Sequence, residues 1–125
     1  MGLDMYAHSM RKDEQRPPVD FDVNGLGKHP RIHYWRKHPN LHGWMARLYY
    51  EKGGIDSDFN VNTVEITSAD LDALERAITD NLLPDTAGFF FGETTGEERD
   101  DDFEFIRKAR AEIDQGRAVA YYAWW

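Results

Sequence analysis

The stretch His33-Tyr34-Trp35-Arg36-Lys37-His38-Pro39-Asn40-Leu41-His42-Gly43-Trp44 gathers cations, imidazoles and indoles more densely than any other part of the chain. A helix N-terminus presents backbone N–H groups without intrahelical partners. Arg36 and Lys37 beside such an end would make a pocket for a phosphate or carboxylate. Trp35 or Trp44 could stack on a ring of the bound molecule. The competing reading is that both tryptophans are core residues and both cations are solvated. His38 and His42 are four apart, a spacing that puts two metal ligands on one helical face. Pro39, however, places His38 at the helix cap, and no acidic residue lies nearby in sequence, so no metal site is assigned. His42, with Asp4 as a distant partner, is the candidate for proton transfer.

Two acidic segments carry weaker signals. Asp56-Ser57-Asp58-Phe59-Asn60 opens like a calcium loop, but Val61 stands where glycine is required and Thr67 where the closing glutamate belongs. It reads as a polar turn. Glu97, Glu98, Asp100, Asp101, Asp102 and Glu104 surround Arg99. Carboxylates in a first helical turn favour the positive end of the dipole, so this cluster reads as a solvated helix start. Its alternative use is to bind a basic partner or a metal. Gly-rich phosphate loops, nucleophile elbows and paired-cysteine motifs are absent from the sequence.

The elements that must position these residues follow from periodicity. Leu3 to Met10 suits a first strand. Pro17-Pro18 ends regular structure, and a loop or an Asn24-Gly25 hairpin follows. Arg31 to Arg36 is a short strand. Leu41, Trp44, Met45 and Leu48 fall at i, i+3, i+4 and i+7 of a helix that starts at Pro39 and ends at Gly53-Gly54. Val61 to Ile66 alternates as a strand. Thr67 and Asp70 form a capping pair for a helix with Leu71, Leu74 and Ile78 inward. Gly88-Phe89-Phe90-Phe91-Gly92 suggests a short buried strand or a tightly packed loop. Glu97 to Gln115 is a third helix with Phe103, Ile106, Ala109 and Ile113 inward, and Val119 to Trp125 is a last strand. The expected fold is a single α+β domain over residues 1–125, about three helices packed on a small, mostly antiparallel sheet.

Composition narrows the function classes. A chain of 125 residues suits one domain, and 4 Trp, 6 Tyr and 7 Phe supply a core. A net charge of -8 opposes general nucleic-acid binding, which needs a basic surface. With no cysteine there are no disulfides, no thiolate chemistry and no sulfur-ligated zinc, in keeping with a cytoplasmic protein. The start of the chain lacks the basic and apolar regions of a signal peptide, and no apolar run reaches the ~20 residues of a membrane helix, so no membrane association is expected.

Four blocks taken together carry a resemblance. Met1-Gly2-Leu3-Asp4-Met5-Tyr6 is the first, and Tyr34-Trp35-Arg36-Lys37 followed by His42 and Trp44 the second. The third is Leu82-Leu83-Pro84 followed by Gly88-Phe89-Phe90-Phe91-Gly92, and the last is Tyr121-Tyr122 with Trp125. In this order they resemble a family of uncharacterised proteins of bacteria and their phages. This chain departs from the family after the Phe run, where relatives are richer in tyrosine, and is short before Tyr34. Some members are labelled phosphoglycerate kinase. That label does not transfer, because 125 residues cannot form two lobes and no nucleotide phosphate loop is present. The resemblance implies a polar–aromatic set, Asp4, Tyr6, Trp35, Arg36, Lys37 and His42. The first expectation is therefore a small anionic-ligand pocket lined by Arg36, Lys37, Trp35 and His42, with Tyr6 and Trp44 available to stack. The second is an acidic interaction protein that modulates a host protein, and the third a small metal-dependent enzyme.

Overall fold

Successive side chains along β1 (Asp4–Arg11) point to opposite faces, so one side of the strand carries Met5, Ala7 and Ser9 and the other Asp4, Tyr6 and His8. β1 pairs on one edge with β2 (Arg31–Arg36) and on the other with β4 (Arg117–Trp124), which in turn pairs with the short β3 (Val64–Ile66). All pairings are antiparallel and the strand order is β2-β1-β4-β3. This computed structural model describes residues 2–21, 29–88 and 92–125. Both the possible Asn24-Gly25 hairpin and the Phe89-Phe90-Phe91 run lie outside the described residues.

Three helices complete the described fold: α1 (Pro39–Glu51), α2 (Ser68–Thr79) and α3 (Arg99–Asp114). They share one core with a single face of the sheet. Leu41, Met45 and Tyr49 of α1, Leu71 and Leu74 of α2, and Phe105 and Ile106 of α3 pack with Met5, Ala7, Val64, Val119 and Tyr121. Each fully buried Leu, Ile, Met or Phe in that set contributes roughly 1.5–3 kcal/mol of transfer free energy. The opposite sheet face is left to a smaller cluster of Met10, Ala118 and Ala120, with Phe21 and Tyr122 against it. The α+β fold with a small antiparallel sheet is thus as the periodicity indicated.

Boundaries follow local chemistry. Pro39 opens α1, and Gly53 (φ +103°) lies just beyond its last turn in the left-handed region that closes helices. Thr67 and Asp70 form a complete capping box at α2: the Thr67 side chain accepts from the Asp70 N–H, and the Asp70 carboxylate accepts from the Thr67 N–H. Thr67→Ala is expected to destabilise the fold by about 1 kcal/mol, read as a lower urea midpoint with an unchanged m-value.

Two expectations are corrected. The strand expected from Val61 begins only at Val64, because Phe59 (φ +45°) and Val61 (φ +62°) turn the chain. That turn buries the Phe59 ring against His42, Tyr49 and Tyr121. The inward residues of α3 are Asp102, Phe105, Ile106 and Ala109, whereas Phe103 and Ile113 are only partly buried. Hydrophobicity alone places the stripe on Phe103. An aspartate takes its place because it has polar partners inside.

Candidate functional site

Strand alternation divides the sequence-selected residues. Trp35 lies opposite Met5 on the helix-covered side, and Arg36 lies opposite Asp4 on the open side. Lys37 follows in a left-handed conformation (φ +55°) with its N–H donating to the Leu3 carbonyl at 2.8 Å. Its side chain thereby comes back toward Arg36. A Cβ on Gly2 would meet Arg36 Nη2 at 2.9 Å and Lys37 Cε at 3.1 Å, so both cations lie against that glycine. Arg36 and Lys37 are together; Trp35 and His42 are elsewhere. The four do not line one pocket.

On the open side, Asp4, Tyr6 and His8 of β1 stand between Tyr34 and Arg36 of β2 and Tyr122 and Trp124 of β4. Their rings form a continuous row. Tyr34 and Tyr6 centroids are 5.4 Å apart, Tyr6 and Tyr122 stack at 5.0 Å, and Tyr122 and His8 stack at 5.9 Å. Asp4 Oδ1 accepts from the Tyr34 hydroxyl at 2.5 Å and from Arg36 Nη1 at 2.9 Å. That bond to Asp4 raises the Tyr34 phenol above its ordinary pKa. Burial lowers the His8 imidazole and raises the Tyr122 phenol.

Arg31 joins this face through an irregularity in the sheet. Ala7 pairs with His33 and His8 with Arg31, so Ile32 has no residue opposite it. This bulge turns Ile32 toward the core and Arg31 outward. The Arg31 guanidinium lies 5.3 Å from the Tyr34 centroid and 5.8 Å from that of Tyr6, with no carboxylate paired to it among the described residues. Sequence reasoning missed Arg31, Tyr122 and Trp124 as site residues. Period-two parity of β1 and β4 was the available signal for the last two.

The inward side holds a second polar arrangement. Asp102 is 2% exposed and His38 1% exposed. Asp102 Oδ1 accepts from Trp35 Nε1 at 3.1 Å, and Oδ2 accepts from His38 Nε2 at 2.8 Å. His38 Nδ1 faces the Thr94 hydroxyl at 3.0 Å, and Thr94 Oγ1 accepts from the Asn40 N–H at 3.1 Å. Thr94 thus caps α1, since the side chain of the cap residue itself, His38, makes no bond to the helix backbone. The neighbouring Asp101, half-exposed, holds His33 Nε2 at 2.9 Å, while Lys108 donates to His33 Nδ1 at 3.1 Å. Two of the aspartates expected to be solvated therefore grip histidines on either side of Trp35. Burial of a carboxylate is tolerated where donors satisfy its oxygens, as they do for both oxygens of Asp102.

His42 lies in the core, 3% exposed, with Nδ1 at 2.7 Å from the Tyr121 hydroxyl and its ring stacked on Phe59 at 5.1 Å. Burial pushes the imidazole down to about 4 and the Tyr121 phenol well up. Asp4 is on the opposite side of the sheet, so the structure does not bring His42 and Asp4 together as a proton-transfer pair. Trp44 is a partly buried companion of the same core. Asp56 forms a polar turn, accepting from the Asp58 N–H at 2.9 Å. Among the described residues, no group of three or more His, Asp or Glu side chains is arranged to hold a metal ion. Nor, among them, is any helix long and apolar enough to cross a membrane.

No family model, curated protein or solved structure matches this chain.

Proposed function

We propose that the open sheet face binds a small, ring-bearing anion in the cytoplasm. Tyr6 and Tyr34 would contact the ring, Arg31 and Arg36 would hold the charge, and Lys37 would stand at the edge. The observation that carries this reading is the Arg31 guanidinium spread over two tyrosine rings without a carboxylate partner among the described residues. A guanidinium on an aromatic face keeps its outward N–H donors available for a carboxylate or phosphate, and the rings supply a stacking surface. Charge adds to this. In a chain of net charge -8, Arg31, Arg36 and Lys37 gather here against Asp4. The absence of cysteine suits a reducing cytoplasm. This reading keeps the anionic ligand, Tyr6, Arg36 and Lys37 of the sequence expectation and moves the site from a pocket to the sheet surface.

The test is thermal unfolding with AMP and benzoate as ring-bearing anions and with adenosine and inorganic phosphate as controls. At ~100 times its dissociation constant a ligand stabilises by about 2.7 kcal/mol, a shift of several degrees for this chain length. AMP or benzoate is expected to exceed both controls, and Arg31→Ala and Tyr34→Ala to remove the shift. Each variant's own stability should change by less than about 1 kcal/mol, since both side chains are exposed. Absence of any shift to millimolar concentration, or a shift untouched by both variants, would overturn the reading.

A further inference from the structure

We propose that Thr94, His38 and Asp102 form a hydroxyl–imidazole–carboxylate triad that hydrolyses small activated acyl esters in a cavity separate from the sheet-face site. The cavity has a volume of about 170 Å³ and is bounded by Thr94, His38 and Asp102, with Asn40, Ile78 and Leu83 among its walls. The hydrogen-bond roles around His38 follow from its partners. The Asp102 carboxylate can only accept, so His38 Nε2 carries the proton toward it at 2.8 Å. Nδ1 is then the basic nitrogen. Thr94 Oγ1 already accepts from the Asn40 N–H, which leaves its own O–H to point at Nδ1, 3.0 Å away.

This is the arrangement that activates a weak alcohol nucleophile: a base in contact with the hydroxyl, and a buried carboxylate that orients the base and stabilises the imidazolium formed. The carboxylate is itself held, since Trp35 Nε1 donates to its other oxygen at 3.1 Å. A third requirement is a donor for the developing oxyanion. Asn40, on the wall of the same cavity, would supply one: its Oδ1 accepts from the Thr86 N–H at 3.0 Å, which fixes the amide orientation, and its Nδ2 has no partner among the described residues. The buried polar chain therefore ends on a half-buried hydroxyl at a cavity wall.

The reaction balances without any added reagent except water. Thr94 Oγ adds to the ester carbonyl carbon as its proton passes to His38 Nδ1. The carbon–oxygen bond to the alcohol breaks, and the alcohol leaves with that proton. Water then gives a proton to Nδ1 while its oxygen adds to the acyl carbon. Thr94 Oγ departs, takes the proton back, and the carboxylic acid is released. The volume and the Ile78 and Leu83 walls suit an acetyl to butyryl group.

The test is hydrolysis of p-nitrophenyl acetate and butyrate by the purified chain, with mass spectrometry of the Thr94 peptide after an acid quench. The expected rate is at least about 100-fold above an equal concentration of free imidazole, with an acyl adduct on Thr94. Thr94→Val keeps the shape and removes the hydroxyl, and is expected to fall to the imidazole rate and lose the adduct. Thr94→Ser should retain both. His38→Gln is expected to match Thr94→Val, and circular dichroism reports whether each variant is folded under assay conditions. Hydrolysis no faster than imidazole by the native chain, or full activity in Thr94→Val, would overturn the proposal. An adduct at a residue other than Thr94 would do the same.

Discussion

Replacing Asp102 with alanine is expected to destabilise the fold by about 3–5 kcal/mol, because two buried donors, at about 1–3 kcal/mol each, lose the carboxylate that accepts from both. Both carboxylate oxygens are committed, to Trp35 Nε1 and His38 Nε2, and both partners are buried. Truncation leaves the Trp35 and His38 N–H donors without the acceptor that their burial depends on. Asp102→Asn is also expected to fail partly, because its amide nitrogen must face one of those donors. The next residue provides the control. Asp101 makes the same kind of bond to His33, but its carboxylate is half-exposed and water can replace it. Asp101→Ala should cost no more than about 1 kcal/mol. Urea unfolding checks both, and for this chain length the Asp102→Ala loss corresponds to a melting-temperature drop of roughly 10 °C or more. Equal, small losses at the two positions would mean that Asp102 is not buried in solution.

Acidification should unload a second large term through His42. Its imidazole is held near pKa 4 by burial, against 6.5 for the free side chain. Between those values the unfolded chain binds a proton that the folded chain refuses. The folded state is therefore most favoured above pH 6.5, and this contribution falls away as the pH drops toward 4. Linkage gives a loss of about 3 kcal/mol from pH 7 to pH 4 for this group alone. His42→Gln keeps an acceptor for the Tyr121 hydroxyl and removes the titration. Comparing urea stability of native and variant chains at steps between pH 7 and 4.5 isolates the His42 part from the carboxylates. The native curve is expected to fall more steeply, by nearly one proton's worth at its steepest. Parallel curves would show that the ring is solvated or does not titrate in this range.

How much of this was legible in the sequence differs by element. α1 and α2 were readable because Leu41, Met45 and Leu48, and Leu71, Leu74 and Ile78, repeat on one helical face next to strong punctuation at Pro39, Thr67 and Gly53. β3 was overextended because Val61 is β-branched and polar-flanked, a local preference that lost to burial of Phe59. α3 was located, but its inward face was rotated. A propensity reading assigns Asp102 to solvent, since the partners that make burial tolerable come from β2 and the α1 cap, 67 and 64 residues away in sequence. Separations of 54 and 56 residues likewise hide Thr94 as a cap for Asn40 and as the neighbour of His38.

The α+β class, the helices with their punctuation, and the crowding of Arg36, Lys37 and the aromatic rings around β2 can all be read along the chain. These depend on periodicity and on residues near one another in the chain. Which of those residues meet depends on how the strands pair and the helices dock. The pleat sends Trp35 and Arg36 to opposite faces, so a segment that reads as one site becomes parts of two. The unpaired Ile32 reverses parity and turns Arg31 onto the tyrosines, where strict alternation would have aimed it at the core. His42, the residue with the best local claim to proton transfer, is buried beside Tyr121, and His38 takes the place beside a carboxylate. Parity, bulges and long-range hydrogen bonds are set when strands pair and helices dock, because only then does each polar group find the donor or acceptor that permits its burial.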